Sequence, residues 1–332
     1  MRAPSQFDLF GEPPRPAAAI DAAPPSGDVA RVAALLPSAL RLGTSSWAFP
    51  GWAGLVYDRA ASPTALARDG LAAYARHPLL RAVGLDRTFY APIPAAEFAR
   101  LAAQVPADFR FLVKAHAALT APEGRLAQRT GGASGTPLFL DPSWACDQVI
   151  APAVEGLRDR LGTILFQFPP LALPPRRLGA LLDALGRFLA ALPRGPRYAV
   201  EVRNAELLDG TLGAAYLGAL VSGGATHCPT VHPRMPSVLA QHDRLGAAAF
   251  PVGLVPIRWM LRRDRGYEEA RDAFAPFDQL VAPDEATRHE VAALVRTTLA
   301  AGHEVLVIAN NKAEGSAPRT LAALARVVPD RS

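Results

Sequence analysis

TILFQFPPLALPPRRLGALLDALGRFLAALPRGPRYAVEVR, residues 163–203, holds one complete unit of the pattern that decides the fold. Its first piece, residues 163–168, is an apolar run of strand length. In the middle, Leu178, Leu181, Leu182, Leu185 and Leu189 keep the i, i+3, i+4 spacing of a helix that buries one face, which predicts a helix over 176–192. A second apolar run follows at 198–203. Strand, helix and strand in this order make a βα repeat, and such repeats build parallel sheets.

The alternation extends in both directions. It predicts further strands at 41–45, 81–86, 109–114, 225–228, 255–259 and 304–309. Helices are expected near 64–76, 95–104, 146–160, 210–222, 284–301 and 316–327, with Pro283, Asp284 and Glu285 as a start signal for the penultimate one. Residues 237–246 are the least regular stretch between strands. Eight units in about 290 residues match the length and order of a (β/α)8 barrel. An open doubly wound sheet has fewer strands and a Gly-rich first turn, whereas here Gly43 is followed by Thr44-Ser45-Ser46-Trp47. The expected architecture is α/β: one TIM-type barrel over residues 39–328, preceded by a disordered tail over 1–38.

Composition narrows the class. The 332 residues are 50% hydrophobic and 20% charged, too apolar for a disordered chain. No run of 18 apolar residues occurs, which excludes a membrane-spanning helix of ordinary length. Two cysteines, Cys146 and Cys228, cannot form a disulfide framework, so a reducing, cytoplasmic setting is expected. The net charge is +5, yet of 35 basic residues only Lys114 and Lys312 are lysine and the other 33 are arginine. That bias resembles the drift of a GC-rich genome, so arginine abundance says little about partners. The scarce polar types say more: the asparagines are Asn204, Asn310 and Asn311.

In the expected barrel, active sites lie at the carboxyl ends of the strands. Lys114 ends the third predicted strand, Asn204 follows the fifth, and Asn310, Asn311 and Lys312 follow the eighth. Both scarce types therefore fall on the face where function is expected. Lys114 reads either as a rim lysine or as an ammonium beside an anionic group, able to exchange a proton. Glu201 and Arg203 share a side by period-two alternation. They read as a buried ion pair, or as a general base with an anion binder. Arg258, on the seventh strand, suits a phosphate bidentately, while Arg262, Arg263 and Arg265 read as rim charge beside Asp264, Glu268 and Glu269. Trp47, Trp52 and Tyr90 form either a stacking wall or a lid. His116, His227 and His232 are the histidines placed nearest the mouth. No HExxH or CxxC occurs, so no metal ligand is assigned, and the sequence leaves any cofactor unknown.

Several blocks together resemble a known family. Leu42-Gly43-Thr44-Ser45-Ser46-Trp47 with Trp52 resembles the opening GTSGW…W signature of the YecE-like barrels, domain of unknown function 72. Thr88-Phe89-Tyr90, residues 109–116, Leu165-Phe166-Gln167-Phe168-Pro169-Pro170, Glu201-Val202-Arg203 and residues 310–318 match in order, so the resemblance covers about 41–325. It implies the barrel fold, and the family has no settled activity. Gly84 and Asp86 replace the family's usual Glu and Asn. Asn204 and Lys312 each replace a histidine, and Met260-Leu261 replaces a His-Gly. A divergent branch is implied.

The tail carries a separate resemblance. Gln6-Phe7-Asp8-Leu9-Phe10 resembles the motif by which bacterial replication and repair proteins dock into the groove of the sliding clamp. Gln6, Asp8, Leu9 and Phe10 are the docking residues this implies. The function expected first is an enzyme or binder of a phosphate-bearing molecule, nucleic acid or a nucleotide fragment, recruited to the clamp. Arg258, Asn311 and Lys312 would hold phosphate, Arg203, Asn204 and Asn310 would also contact substrate, Lys114 or Glu201 would exchange protons, and Trp47 or Tyr90 would stack on a ring. The alternatives are a metabolic enzyme acting on a sugar or sugar phosphate, and a non-catalytic clamp-tethered module. Deleting residues 1–11 is expected to abolish pull-down of a bacterial sliding clamp. Unchanged capture would remove the motif's role.

Overall fold

The computed structural model describes residues 19–121, 138–251 and 253–329. Nine strands form a single sheet: β1 Leu40–Thr44, β2 Leu80–Leu85, β3 Arg110–Lys114, β4 Leu161–Gln167, β5 Tyr198–Glu201, β6 Thr226–His227, β7 Thr230–Val231, β8 Leu254–Trp259 and β9 Glu304–Ala309. Their order is β6-β5-β4-β3-β2-β1-β9-β8-β7, and every pair is parallel. Helices connect the strands, as the sequence periodicity requires, and the sheet curls on itself.

Nine strands stand where eight were expected. The sixth predicted strand is interrupted, and proline explains where, because it has no N–H to give a ladder. Cys228 and Pro229 separate β6 from β7. The Cys228 N–H donates to the Val200 carbonyl of β5 at 2.8 Å, and the Pro229 carbonyl accepts from the Arg258 N–H of β8 at 2.9 Å. One segment, 226–231, thus carries both edges of the sheet.

Alternation along the strands makes two apolar layers. Ala82, Leu112, Leu165, Ala199, Cys228, Leu254, Leu306 and Ile308 gather inside the curl. Their neighbours in sequence, among them Phe111, Phe166, Val200, Val255 and Val307, face outward into the larger core under the helices. The helix Pro175–Ala191 buries Leu178, Leu182, Leu185 and Leu189, and its Phe188 meets Phe166 edge-on at 5.1 Å. Asp284 caps the helix Glu285–Ala300, its carboxylate accepting from the Thr287 N–H at 3.0 Å.

Three other segments differ from expectation. Residues 27–35, assigned to the tail, form the helix Gly27–Leu35, capped by the Ser26 hydroxyl and burying Val32. Ala23 bonds to Val56, and Asp28 pairs with Arg326 at 2.7 Å. Val29, Val32, Ala33 and Leu36 supply an apolar stripe that the Pro- and Ala-rich composition obscured. The helix Val238–Leu245 occupies the irregular stretch, and Tyr267–Phe274 is a helix the periodicity did not predict. The clamp-like motif at 6–10 lies outside the described residues, as does 122–137 of the long excursion after β3. Among the described residues no helix is long and apolar enough to cross a membrane.

Gly43 is the most crowded glycine of the sheet. A Cβ there would lie 2.1 Å from the Ala82 carbonyl oxygen. The hydroxyl of Tyr74 sits at this junction, donating to that carbonyl at 2.8 Å and accepting from the Thr44 N–H at 3.0 Å. Gly43→Ala is therefore expected to destabilise the chain by about 1–3 kcal/mol, the usual cost of overpacking. The check is a fall in the urea midpoint with an unchanged m-value.

Candidate functional site

Lys114, Glu201 and Arg258 continue the alternation of Leu112, Ala199 and Leu254, so they extend the inner face beyond its apolar layer toward the carboxyl ends of the strands. Glu201 has no exposed surface. Its Oε2 accepts from the Arg258 guanidinium at 2.5 Å, and its Oε1 accepts from Arg203 Nε at 2.6 Å, with Arg203 Nη2 also in contact. Burial pushes the carboxyl up, but Arg203 and Arg258 outweigh it and hold it at about 2. A carboxylate so held, with both oxygens occupied, is a poor general base. Both oxygens of Glu201 are taken up by two arginines, a buried ion-pair arrangement.

Arg258 is almost wholly buried and reaches a second carboxylate, Asp86, at 3.5 Å. Its Nε is buried without a hydrogen-bond partner among the described residues. Lys114 is nine-tenths buried and lies within electrostatic reach of Asp86, Arg258, Glu201 and Arg203. Burial lowers its ammonium from 10.5 to about 8. Nζ rests on the Phe89 ring, 3.7 Å from the centroid, and no hydrogen bond to a described residue holds it. The Thr88 hydroxyl fixes this seat, lying 2.6 Å from the carbonyls of both Leu85 and Lys114. His232, after β7, feels the same cluster: burial and then Arg203 lower its imidazole to about 4, so it is neutral near pH 7.

The structure brings together Lys114, Glu201, Arg203 and Arg258 from the expected set, and it adds Asp86 and Phe89. Asp86 is notable in the sequence only as a departure from the family pattern. Phe89 is hidden inside a motif that also serves packing.

Other expected residues are occupied elsewhere. The Asn204 amide accepts from the Leu171 N–H at 2.7 Å and donates to the Leu171 carbonyl at 2.9 Å and to Glu206 at 2.7 Å. Asn311 accepts from the Ala317 N–H at 2.8 Å, at the start of the helix Ala317–Ala325. Both hold main chain. Asn310 joins β9 to β1 through a 2.8 Å bond to Ser45 and accepts from the Lys312 N–H at 3.0 Å. Lys312 Nζ lies over Tyr267, 4.3 Å from the centroid.

Trp47 is buried, its indole donating to the Leu66 carbonyl at 2.9 Å, so it packs rather than stacks on a ligand. Trp52 is fully buried. Tyr90 alone of the expected aromatics is exposed, at 58%. His227 is buried against Tyr216 and Gln241, and His116 bonds to main chain. These histidines do not gather with His232, and no metal-sized group of three His, Cys, Asp or Glu occurs among the described residues. Arg262, Arg263 and Arg265 pair with Asp264, Glu290 and Glu269 at 2.7, 2.7 and 2.8 Å.

Removing the Glu201 charge leaves two buried guanidiniums facing each other. Glu201→Gln is expected to cost about 3 kcal/mol or more at pH 7, measured by urea unfolding. Because the folded carboxyl titrates at about 2 against an ordinary 4.5, its stabilisation is complete above pH 4.5 and is lost as pH falls through 2. The gap between wild type and variant should close over that window.

The architecture and this cluster can be set beside known proteins. The family described as "Protein of unknown function DUF72" matches residues 41–331. Solved structures of the same fold include a DUF72 family protein from Enterococcus faecalis V583, 16% identical, with a TM-score of 0.56 over 88% of this chain and 98% of that one. Another is a DUF72 family protein from Thermotoga maritima MSB8, 21% identical, with a TM-score of 0.55 over 88% of this chain and 99% of that one. No curated protein matches the chain. The family match spans the sheet from Arg41 of β1 onward and every residue of the cluster, and the chain belongs to the DUF72 family.

Proposed function

We propose that this chain binds a small phosphate-bearing molecule at the carboxyl ends of its strands, and that its sheet is a (β/α)8 barrel whose sixth strand is the interrupted segment 226–231. The observation that carries the binding reading is the surplus of positive charge in the cluster, with one buried donor left over. Lys114, Arg203 and Arg258 bring three cations to two carboxylates, Glu201 and Asp86. Arg258 Nε is buried with no acceptor among the described residues, and Lys114 Nζ, at the edge of the cluster, makes no hydrogen bond to a described residue. Buried donors call for acceptors, and an oxyanion supplies several at once.

A compact ligand, such as a sugar phosphate or a nucleotide fragment, fits better than a nucleic-acid strand. The cations lie deep between the strands, and the nearby arginines of the β8 loop are engaged by acidic neighbours. A strand needs an exposed basic track along its backbone. Recruitment to a sliding clamp through residues 6–10 is a separate part of the proposal and is tested by the tail deletion above.

The test is thermal-shift and calorimetric titration with ribose 5-phosphate, a nucleoside monophosphate, inorganic phosphate and ribose. Phosphorylated compounds are expected to raise Tm and ribose to leave it unchanged. Lys114→Met should weaken phosphate binding about tenfold, the worth of a hydrogen bond to a charged group. Equal shifts with ribose and ribose 5-phosphate, or none with any compound, would overturn the reading.

A further inference from the structure

We propose that Lys114 forms an imine with the carbonyl carbon of a phosphorylated aldehyde or ketone. This deepens the phosphate-binding reading and rests on it: the arginines hold the anionic end of the ligand, and Lys114 meets its carbonyl.

The first support is the chemistry of the position. Thirty-three of the chain's 35 basic residues are arginine, so a fixed positive charge on this inner face is within reach of the prevailing residue type. Position 114 instead carries an amine, the one basic side chain that can both lose its proton and bond to carbon. The second support is its seat. Nζ is tied to no hydrogen-bond acceptor among the described residues and lies on the face of Phe89 at 3.7 Å. Once deprotonated, its single lone pair is open to attack on carbon while the Phe89 contact holds its position. Burial, which brings the ammonium down to about 8, leaves a usable fraction of neutral amine near neutral pH.

The surroundings also suit the product. An iminium is a cation like the ammonium it replaces, so the Phe89 face and the carboxylates of Asp86 and Glu201 stabilise both. Asp86 is the more exposed of the two carboxylates and touches Arg258 only at 3.5 Å, so it retains lone pairs for proton exchange.

The step balances without a co-reactant. The neutral amine attacks the carbonyl carbon, and the former carbonyl oxygen takes a proton, giving a carbinolamine. The hydroxyl then takes a second proton, from Asp86 or water, and leaves as water while the nitrogen lone pair forms the C=N bond, so the nitrogen keeps its remaining proton as the iminium. The net change is one C=N bond formed and one water released for each carbonyl consumed.

The chain makes the experiment clean, because its only primary amines in the sequence are Lys114, Lys312 and the terminal amine. Full-length protein is incubated with dihydroxyacetone phosphate and cyanoborohydride, which reduces the imine to a stable secondary amine, and the adduct is mapped by peptide mass spectrometry. The expected result is one adduct at Lys114, suppressed by inorganic phosphate and absent from Lys114→Arg. Labelling at Lys114 no faster than at Lys312 would overturn the imine proposal. If inorganic phosphate then still raises Tm, phosphate binding survives and only the imine fails. If it does not, both readings fall.

Discussion

A carboxylate with no exposed surface, Glu201, lies between the guanidiniums of Arg203 and Arg258, and the carboxyl end of the sheet is organised around it. Each of these ions alone would be costly to bury, and together they are tolerable only because the geometry is close and both carboxylate oxygens are used. The pair also has a place in the topology. Glu201 ends β5 and Arg258 lies on β8, the strands that flank the interrupted segment 226–231 on either side. Where Pro229 breaks the ladder, an ion pair joins the strands beyond it.

From that constraint the rest of the cluster follows. Arg258, fixed by Glu201, leaves its Nε without a partner and draws Asp86 toward the same point. Lys114 then occupies a position where burial and two arginines disfavour its charge while two carboxylates and the Phe89 ring favour it. The balance leaves an amine that titrates near pH 8 and is held by packing rather than by hydrogen bonds. The sheet alternation aims these side chains at one another, and the apolar layer formed by Leu112, Leu165, Ala199 and Leu306 beneath them supplies the low dielectric.

Much of this was legible in the residue order. Strands and helices were readable because periods of two and 3.6 are written into the apolar positions, as in residues 163–203. The same rule put Glu201 and Arg203 on one side. The scarcity of lysine singled out Lys114, which lies in the cluster, and Lys312, which lies over Tyr267, and the scarcity of asparagine singled out residues bound to main chain. Asn204 and Asn311 hold the main chain of Leu171 and Ala317, partners that only a folded loop presents. Pro229 did carry a signal of the broken sixth strand, since proline removes a ladder donor. The stripe of Val29, Val32, Ala33 and Leu36 likewise announced a helix that the surrounding prolines and alanines masked.

By itself, then, the sequence determined the βα alternation, the parity of each strand and the end of the sheet where charge gathers. All three depend on neighbours within a few residues. Tertiary structure decided that Arg258 belongs to Glu201, that Trp47 packs instead of lining the mouth, and that Lys114 sits on Phe89 with no acceptor. Those outcomes depend on contacts between residues far apart in the chain. The free energies that select them, burial of charge and loss of water, arise only when the strands come together.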